Sequence, residues 1–210
     1  MKIVNYTNPH RQKHFDFFEK MSHPHFNVCA NVDITFLRKY LKENNLPFTP
    51  SIVYLICKTA NSIPSFRHRI RDGKVVEHDL VHPSFTILIE ETDVFSFCYV
   101  DYQPDYISFI EETQKRIEKV KADPTVEDEP GRDDYLFLSS FPWASFTSVM
   151  HAMPYDRADT VPRIVWGKFF EEGDRIKMPL SVQAHHAVVD GHHIGQYFQK
   201  IEFLLEKNLF

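Results

Sequence analysis

The sequence predicts an α/β (α+β) two-layer sandwich, with helices packed on one side of a mixed sheet that contains antiparallel hairpins. Strand-like and helix-like patterns alternate along the 210 residues. Two turn signals, Asp72-Gly73 and Gly173-Asp174, separate consecutive strand-like segments and predict hairpins. The segment 49–63 is apolar nearly all round, which is typical of a helix buried in a core.

The composition favours one soluble domain over residues 1–210. Hydrophobic residues make up 43% and charged residues 25%, ordinary values for a globular chain of this length. The acidic segment 123–134, "DPTVEDEPGRDD", contains Pro and Gly and is typical of a surface loop. Because it is short and a strand-like segment follows it, we do not interpret it as a domain linker.

Three helices are predicted in the first third of the chain, at 10–21, 33–45 and 49–63. Asp33 is the candidate N-cap of the second helix. Thr49 at a cap position and Pro50 at the first helical position are a start signal for the third. A strand is predicted between the first two helices, at 25–34.

The rest of the chain predicts hairpins and two further helices. Residues 84–102 are predicted to form two strands separated by "EETD", and 105–122 is a clear amphipathic helix. Strands follow around 135–146 and over 163–186. The last helix is expected from about His192 to Lys207.

Charge and cysteine usage limit the classes of partner and compartment. The net charge of −5 gives no electrostatic reason to expect nucleic acid or an anionic membrane. The three cysteines, Cys29, Cys57 and Cys98, are odd in number and lie in apolar settings, which favours reduced thiols. No segment has the length of a signal peptide core or a membrane span, so we expect a cytoplasmic protein.

Four of the 12 histidines fall within nine residues of the stretch 181–195, "SVQAHHAVVDGHHIG". Strand alternation sends His185 and His186 to opposite faces. His192 and His193 lie in the first turn of the last helix, about 100° apart around its axis. Because these four rings do not converge and no two of them are spaced i, i+4, we expect no metal.

Each residue of this stretch also has an ordinary structural explanation. Asp190, just before the last helix, is a candidate N-cap. Gly191 suits a tight strand-to-helix turn. A buried histidine is more often a core residue than a catalytic one. Taken one by one, these residues do not predict an activity.

Taken together, "HHAVVDG" matches the pattern HHxxxDG, and the chain resembles the chloramphenicol acetyltransferase family. The pattern alone is shared with dihydrolipoyl acyltransferases, carnitine acyltransferases and peptide-synthetase condensation domains. The block "SSFPWASF" and a match over nearly the whole length single out the chloramphenicol acetyltransferases. The resemblance implies the CoA-dependent acyltransferase fold, with acetyl-CoA as cosubstrate and a small hydroxyl acceptor.

The resemblance assigns the chemistry to two residues. His186 corresponds to the second histidine of the motif, the general base that takes a proton from the acceptor hydroxyl as its oxygen attacks the thioester. An imidazole titrating near neutrality suits that task. Ser139 corresponds to the serine that stabilises the oxyanion. Its neighbour Ser140 is the alternative if the alignment is shifted by one residue.

The resemblance also implies supporting residues. Asp190 and Arg11 correspond to a structural ion pair that fixes the geometry of the base. Without the resemblance, Arg11 is an ordinary surface arginine. Trp143 and Lys168 correspond to positions on the coenzyme side, an indole for packing and a cation for phosphate.

The family is a homotrimer with active sites between subunits, so we expect a homotrimer here. The acceptor side is assigned to Phe17, Phe18, Phe26 and Val165. Phe18 stands where a tyrosine is usual, and Val165 replaces a threonine. Other departures from the family pattern are Pro9, Val149, His151, Met153 and His192. The catalytic set is thus intact, whereas the acceptor pocket is altered.

Three alternatives stay open at this point. The same machinery could acetylate a different hydroxyl compound. The acyltransferase core of a 2-oxo acid dehydrogenase complex normally carries a lipoyl domain and a flexible linker, neither of which is recognised in this sequence. A non-catalytic trimeric binding protein would be expected to have lost at least one of His186, Ser139, Asp190 and Arg11.

Overall fold

The computed structural model describes residues 1–127, 131–153 and 159–207. The α-helices in these ranges are α1 Pro9–Glu19, α2 Thr35–Glu43, α3 Phe48–Asn61, α4 Tyr106–Ala122 and α5 Gly191–Lys207. The strands are β1 Lys2–Val4, β2 His25–Asp33, β3 His68–Arg71, β4 Lys74–Glu77, β5 His82–Ile89, β6 Val94–Tyr99, β7 Tyr135–Phe141, β8 Arg163–Gly167, β9 Phe170–Glu172 and β10 Arg175–His185. A short 3₁₀ helix spans Pro64–Arg67.

The main sheet is mixed, with strand order β2-β10-β8-β7-β5-β6 and β9 pairing with β10. The pairs β5–β7 and β7–β8 are parallel, and the other pairs of this sheet are antiparallel. Helices α2 to α5 pack against it. The predicted fold class is therefore confirmed.

The long strand β10 has two different faces. Met178, Leu180, Val182 and Ala184 belong to the hydrophobic core, which α2, α3, α4 and α5 help to form. Ser181, Gln183 and His185 alternate with them and lie on the opposite face, where they are also buried. The alternation predicted from "PLSVQAHHA" is correct, and it gives the sheet one apolar face and one polar face.

Both predicted hairpin turns are present. Asp72 and Gly73 have φ of 49° and 70° between β3 and β4, the left-handed values that a two-residue turn requires. Gly173 has φ of 62° between β9 and β10. β1, which no pattern in the sequence predicts, adds a third strand to the β3–β4 hairpin. None of the described helices is long and apolar enough to cross a bilayer.

Two predicted helix starts are displaced. Asp33 is not the N-cap of α2, because it is the last residue of β2 and its backbone is paired with Lys177. Its carboxylate still accepts a hydrogen bond from the Thr35 amide at 2.9 Å. α3 begins at Phe48 rather than after Thr49, which moves Pro50 to the third helical position. Proline is tolerated there because amides of the first turn have no partner within the helix.

A buried guanidinium joins the small sheet to β7. Arg69 is only 1% exposed. Its nitrogens donate to the carbonyl oxygens of Phe66, His68, Asp133 and Tyr135. These four acceptors come from two stretches of chain, 66–68 and 133–135, so one side chain links the 3₁₀ helix and β3 to the start of β7.

Replacing Arg69 with methionine should destabilise the protein strongly. Buried carbonyls would lose their donor, and we expect a loss of at least about 3 kcal/mol in the free energy of unfolding, measured by urea denaturation. Arg175→Met is the matched control. Arg175 is 55% exposed and pairs with Asp33 at 3.3 Å, so its loss should cost less than about 1 kcal/mol. Equal effects of the two substitutions would contradict this role of Arg69.

Candidate active site

His186 lies in the turn between β10 and α5. Its amide donates to Pro24 O at 2.9 Å, which continues the β2–β10 pairing for one residue beyond the strand. The amides of Val188 and Val189 both donate to His185 O, at 3.2 and 3.0 Å, and close the turn. The imidazole is therefore held at the end of a long strand by regular backbone hydrogen bonds.

Two phenylalanines fix the plane of the His186 ring. Phe18 stacks on it with centroids 4.0 Å apart and an interplanar angle of 5°. Phe26 packs against it at 4.4 Å and 32°. The His186 side chain is 25% exposed, so part of its edge still reaches solvent. Phe18, which lacks the hydroxyl of the usual tyrosine, here supports the imidazole directly.

The ion pair between Arg11 and Asp190 that the resemblance implies is not formed in the described structure. The Arg11 guanidinium instead donates to Ala187 O at 2.8 Å and to Val188 O at 3.4 Å. It also donates to the Tyr6 hydroxyl at 3.1 Å, and it lies over the Tyr6 ring. Arg11 therefore hydrogen-bonds to the backbone of the turn and not to the Asp190 carboxylate.

His14 occupies the place between these two residues. Its Nδ1 is 2.9 Å from Arg11 NH1, and its Nε2 is 3.2 Å from Asp190 Oδ2. Asp190 Oδ2 is in turn 3.9 Å from His186 Nδ1. His14 is not among the site residues that the sequence predicts. The only available signal was its position three residues after Arg11, on the same face of α1.

Asp190 also caps α5, as predicted. Its Oδ1 accepts from the His192 amide at 3.1 Å, and its own amide donates to His193 Nδ1 at 2.9 Å. The hydrogen bond from His192 and the neighbouring His186 and His14 lower the pKa of Asp190, despite its partial burial. The carboxylate is therefore ionised at neutral pH.

His185 points away from His186 into the polar side of the sheet. It is 1% exposed, and its Nδ1 accepts from the Ala187 amide at 3.2 Å. Its ring packs edge-on against His25 at 5.1 Å. Burial, followed by the nearby His25, lowers the pKa of His185 to about 4. It is a neutral structural residue, as the alternation of β10 predicts.

Ser139 belongs to a second cluster, on the sheet face away from the helices. Its Oγ is 2.9 Å from Thr86 Oγ1. Strand register aligns Ser139 with Val165, and Val165 with Ser181. A cavity of about 420 Å³ opens on this face. It is lined by residues that include Thr86, Phe95, Phe97, Phe137, Ser139 and His151.

The coenzyme candidates lie on two adjacent loops. Ala144 O accepts from the Lys168 amide at 3.1 Å, and Ser145 Oγ donates to Lys168 O at 2.7 Å. Trp143, next to this contact, is 61% exposed. A Cβ on Gly167 would lie 2.7 Å from the Phe146 ring, so glycine is required where the loops meet. The loops that carry the exposed Trp143 and the exposed Lys168 are thus in contact, and the coenzyme role of these two residues stays a prediction.

The acceptor candidates are divided between the two clusters. Phe18 and Phe26 contact His186, and the exposed Phe17 packs on Phe18 at 5.0 Å. Val165 is 4% exposed and lies beside Ser139, where it offers no hydrogen bond. His151 lines the cavity, and its buried Nε2 has no hydrogen-bond partner within the described residues.

Three groups near His186 have the spacing of a metal site. One ligand atom from each of His14, His186 and Asp190 lies within 4.8 Å of the others. A guanidinium can only donate hydrogen bonds, so Arg11 keeps the lone pair of His14 Nδ1 engaged and leaves the proton on Nε2. A protonated nitrogen cannot bind a metal. The hydrogen bonding of His14 therefore disfavours metal binding at these three residues. That the protein binds no metal stays a prediction.

The chloramphenicol acetyltransferase family model matches residues 1–202. The chain belongs to this family. It is an acetyltransferase, as are its curated relatives. Chloramphenicol acetyltransferase 3 of Escherichia coli is 31% identical over 212 residues, which cover 98% of this chain and 100% of the relative. A chloramphenicol acetyltransferase of Bacillus pumilus is 32% identical over 197 residues, covering 93% and 90%.

Superposition on solved structures agrees with the family membership. A chloramphenicol acetyltransferase superposes with a TM-score of 0.86 at 26% identity, covering 98% of this chain and 99% of the other. A probable dihydrolipoamide acetyltransferase from Listeria monocytogenes superposes with a TM-score of 0.69 at 16% identity, covering 99% and 94%. The second likeness shows a shared fold alone.

Protonation of His185 should contribute to acid destabilisation. Its pKa is 6.5 when exposed and about 4 in the folded protein, so the unfolded chain binds the extra proton between these values. Stability from this residue is complete above about pH 6.5 and is lost as the pH falls toward 4. His185→Gln should flatten the decline over this window by about 2–3 kcal/mol in urea unfolding experiments.

The control for this experiment is His10→Gln, which removes an exposed histidine. Its stability should follow the parent at every pH. Parallel curves for the parent and His185→Gln would contradict the assignment.

Proposed function

We propose that the protein transfers the acetyl group of acetyl-CoA to a hydroxyl group of a small acceptor, with His186 as general base. The observation that carries this is the restraint on the His186 ring. Phe18 and Phe26 hold its plane, and Asp190 faces its buried Nδ1. Nε2 is not buried in this way, so it is the nitrogen that can meet an acceptor.

The proposed reaction is a balanced acyl transfer. His186 Nε2 takes the hydroxyl proton as the acceptor oxygen forms a bond to the thioester carbonyl carbon. The resulting oxyanion accepts a hydrogen bond from the Ser139 hydroxyl. When the carbon–sulfur bond breaks, the imidazolium returns the proton to the departing thiolate. The products are the acetyl ester and free CoA, and the base is restored.

We further propose that the complete site forms between protomers of a homotrimer. Strand geometry puts the Cα atoms of His185 and Ser139 about 16 Å apart, four residues along β10 and two strand spacings across the sheet. The base and the oxyanion donor must both lie within about 3 Å of the reacting groups. One protomer does not satisfy both distances, so His186 of one copy must meet Ser139 of another.

Acetyl-CoA binding is assigned to the Trp143–Lys168 loop contact. The exposed indole offers an apolar surface, and the lysine offers a cation for phosphate. Chloramphenicol is the first acceptor to test, because the curated relatives are named for it. A different hydroxyl compound is the second candidate. It is supported by Phe18, which lacks a hydroxyl, and by His151, whose buried Nε2 lacks a partner in the described cavity.

The mechanism is tested by measuring thiol release with acetyl-CoA and chloramphenicol. His186→Ala should lower kcat by about 10²- to 10⁴-fold, the usual contribution of a general base. His10→Ala, which removes an exposed histidine of α1, is the matched control and should keep the parent's rate. Full activity of His186→Ala would overturn the mechanism. Turnover with another hydroxyl compound, but none with chloramphenicol, would favour the second acceptor.

Complementation tests the interfacial site. His186→Ala and Ser139→Ala protomers, carrying different affinity tags, are co-expressed and mixed trimers are isolated by two purifications. Each homotrimer should be impaired, by about 10²-fold or more. A mixed trimer has one interface in three where an intact His186 meets an intact Ser139, so it should recover about a third of the parent's activity. No recovery in mixed trimers would contradict the arrangement.

A further inference from the structure

We propose that His14 is a positioning residue for the base: it holds the Asp190 carboxylate opposite His186 Nδ1, which keeps the proton of His186 on Nδ1 and leaves Nε2 free to act. This inference rests on the proposed role of His186. It assigns to a residue of α1 a task that the sequence analysis gave to Arg11.

The proton of His14 is located by its two neighbours. Arg11 NH1 lies 2.9 Å from His14 Nδ1, and a guanidinium has no acceptor atom. Nδ1 must therefore accept, which places the proton of the neutral ring on Nε2. Nε2 then donates to Asp190 Oδ2 at 3.2 Å. Partial burial and the charge of Arg11 lower the pKa of His14, so the neutral ring is favoured at physiological pH.

Arg11 is anchored to the turn that carries the base. It donates to Ala187 O at 2.8 Å and to Val188 O at 3.4 Å, directly after His186. Its other contact, to the Tyr6 hydroxyl at 3.1 Å, holds it from the N-terminal side. The orientation of His14 is thus set by the same backbone segment that places His186.

Both oxygens of Asp190 are then accounted for. Oδ1 accepts from the His192 amide at 3.1 Å, and Oδ2 accepts from His14. Oδ2 also lies 3.9 Å from His186 Nδ1, which is buried and has no hydrogen-bond partner among the described residues. A carboxylate facing this nitrogen attracts a proton to it, and the second nitrogen of a neutral ring then keeps its lone pair.

A neutral donor between Arg11 and Asp190 has a further consequence. A guanidinium paired directly with Asp190 would neutralise much of its charge. His14 orients the Asp190 carboxylate through one hydrogen bond, and its ring lies between the carboxylate and the Arg11 guanidinium. The negative charge of Asp190 therefore remains available to His186.

The test uses two substitutions of His14 in the full protein. His14→Gln can restore both hydrogen bonds, because its amide nitrogen donates to Asp190 and its oxygen accepts from Arg11. His14→Phe keeps an aromatic ring against Phe18, 4.7 Å away in the parent, but removes both hydrogen bonds. Thermal unfolding and size-exclusion chromatography establish that each variant folds and assembles as the parent does.

The kinetic readout is the separation of kcat from KM. His14→Phe should lower kcat by about 10- to 100-fold, as expected when a hydrogen bond to a charged group is lost, while KM for acetyl-CoA stays within about twofold. His14→Gln should stay within about threefold of the parent in both constants. A parent-like kcat in His14→Phe, or an equal loss in both variants, would overturn the role of His14.

A second readout does not depend on turnover. Long-range ¹H–¹⁵N spectra of protein labelled in histidine report which ring nitrogen of His186 carries the proton, with His186→Ala providing the assignment. The parent and His14→Gln should show the proton on Nδ1, and His14→Phe should populate the Nε2 form. An unchanged tautomer in His14→Phe would overturn the proposal. If His186→Ala retains activity, the proposed function fails, whereas the tautomer comparison still decides the role of His14.

Discussion

The contact between the Arg11 guanidinium and the carbonyl of Ala187 is the interaction on which the site depends. It joins α1 to the turn between β10 and α5 at 2.8 Å. Phe18 and His14 reach the His186 ring from α1, so their contacts require this helix to stay against the turn. Without that anchor, the imidazole would lose its stacking partner and the residue that orients Asp190.

The main sheet separates packing from chemistry. Alternate residues of β10, such as Leu180 and Val182, fill the core with the helices. Ser181 and Gln183 lie on the other face and hydrogen-bond to Asn27 Oδ1 and Met153 Sδ, at 2.7 and 2.9 Å. The candidate oxyanion donor Ser139 lies on that polar face, whereas His186 lies beyond the end of β10. This separation within one chain is the physical basis for the proposal that the site is shared between copies.

Neutral buried histidines are a recurring feature of the polar regions. Burial lowers the pKa of His68, His151 and His185 to about 4. Their rings are therefore uncharged at neutral pH, and each makes the folded state more sensitive to acid. The His186 side chain, by contrast, is 25% exposed and has the Asp190 carboxylate 3.9 Å from its Nδ1.

Much of the fold follows from local patterns in the sequence. Alternation along "PLSVQAHHA", the Asp72-Gly73 turn and the amphipathic pattern of 105–122 depend on neighbouring residues, and each is confirmed. Helix starts are predicted less well, because the sheet pairing of Asp33 and the conformation of Pro47 override the cap preferences. β1 is three residues long and gives no periodic signal.

The residues of the site divide in the same way. The motif by itself determined that His186 and Asp190 lie together, because they are four positions apart across one tight turn. Only the tertiary structure decided what Arg11 and His14 do, since their contacts join residues about 176 positions apart. The sequence can indicate that Arg11 lies near Asp190, but only the hydrogen-bond geometry shows which acceptor the guanidinium contacts. The Arg11 guanidinium donates to the carbonyls of Ala187 and Val188, and the Asp190 carboxylate accepts from His14 instead.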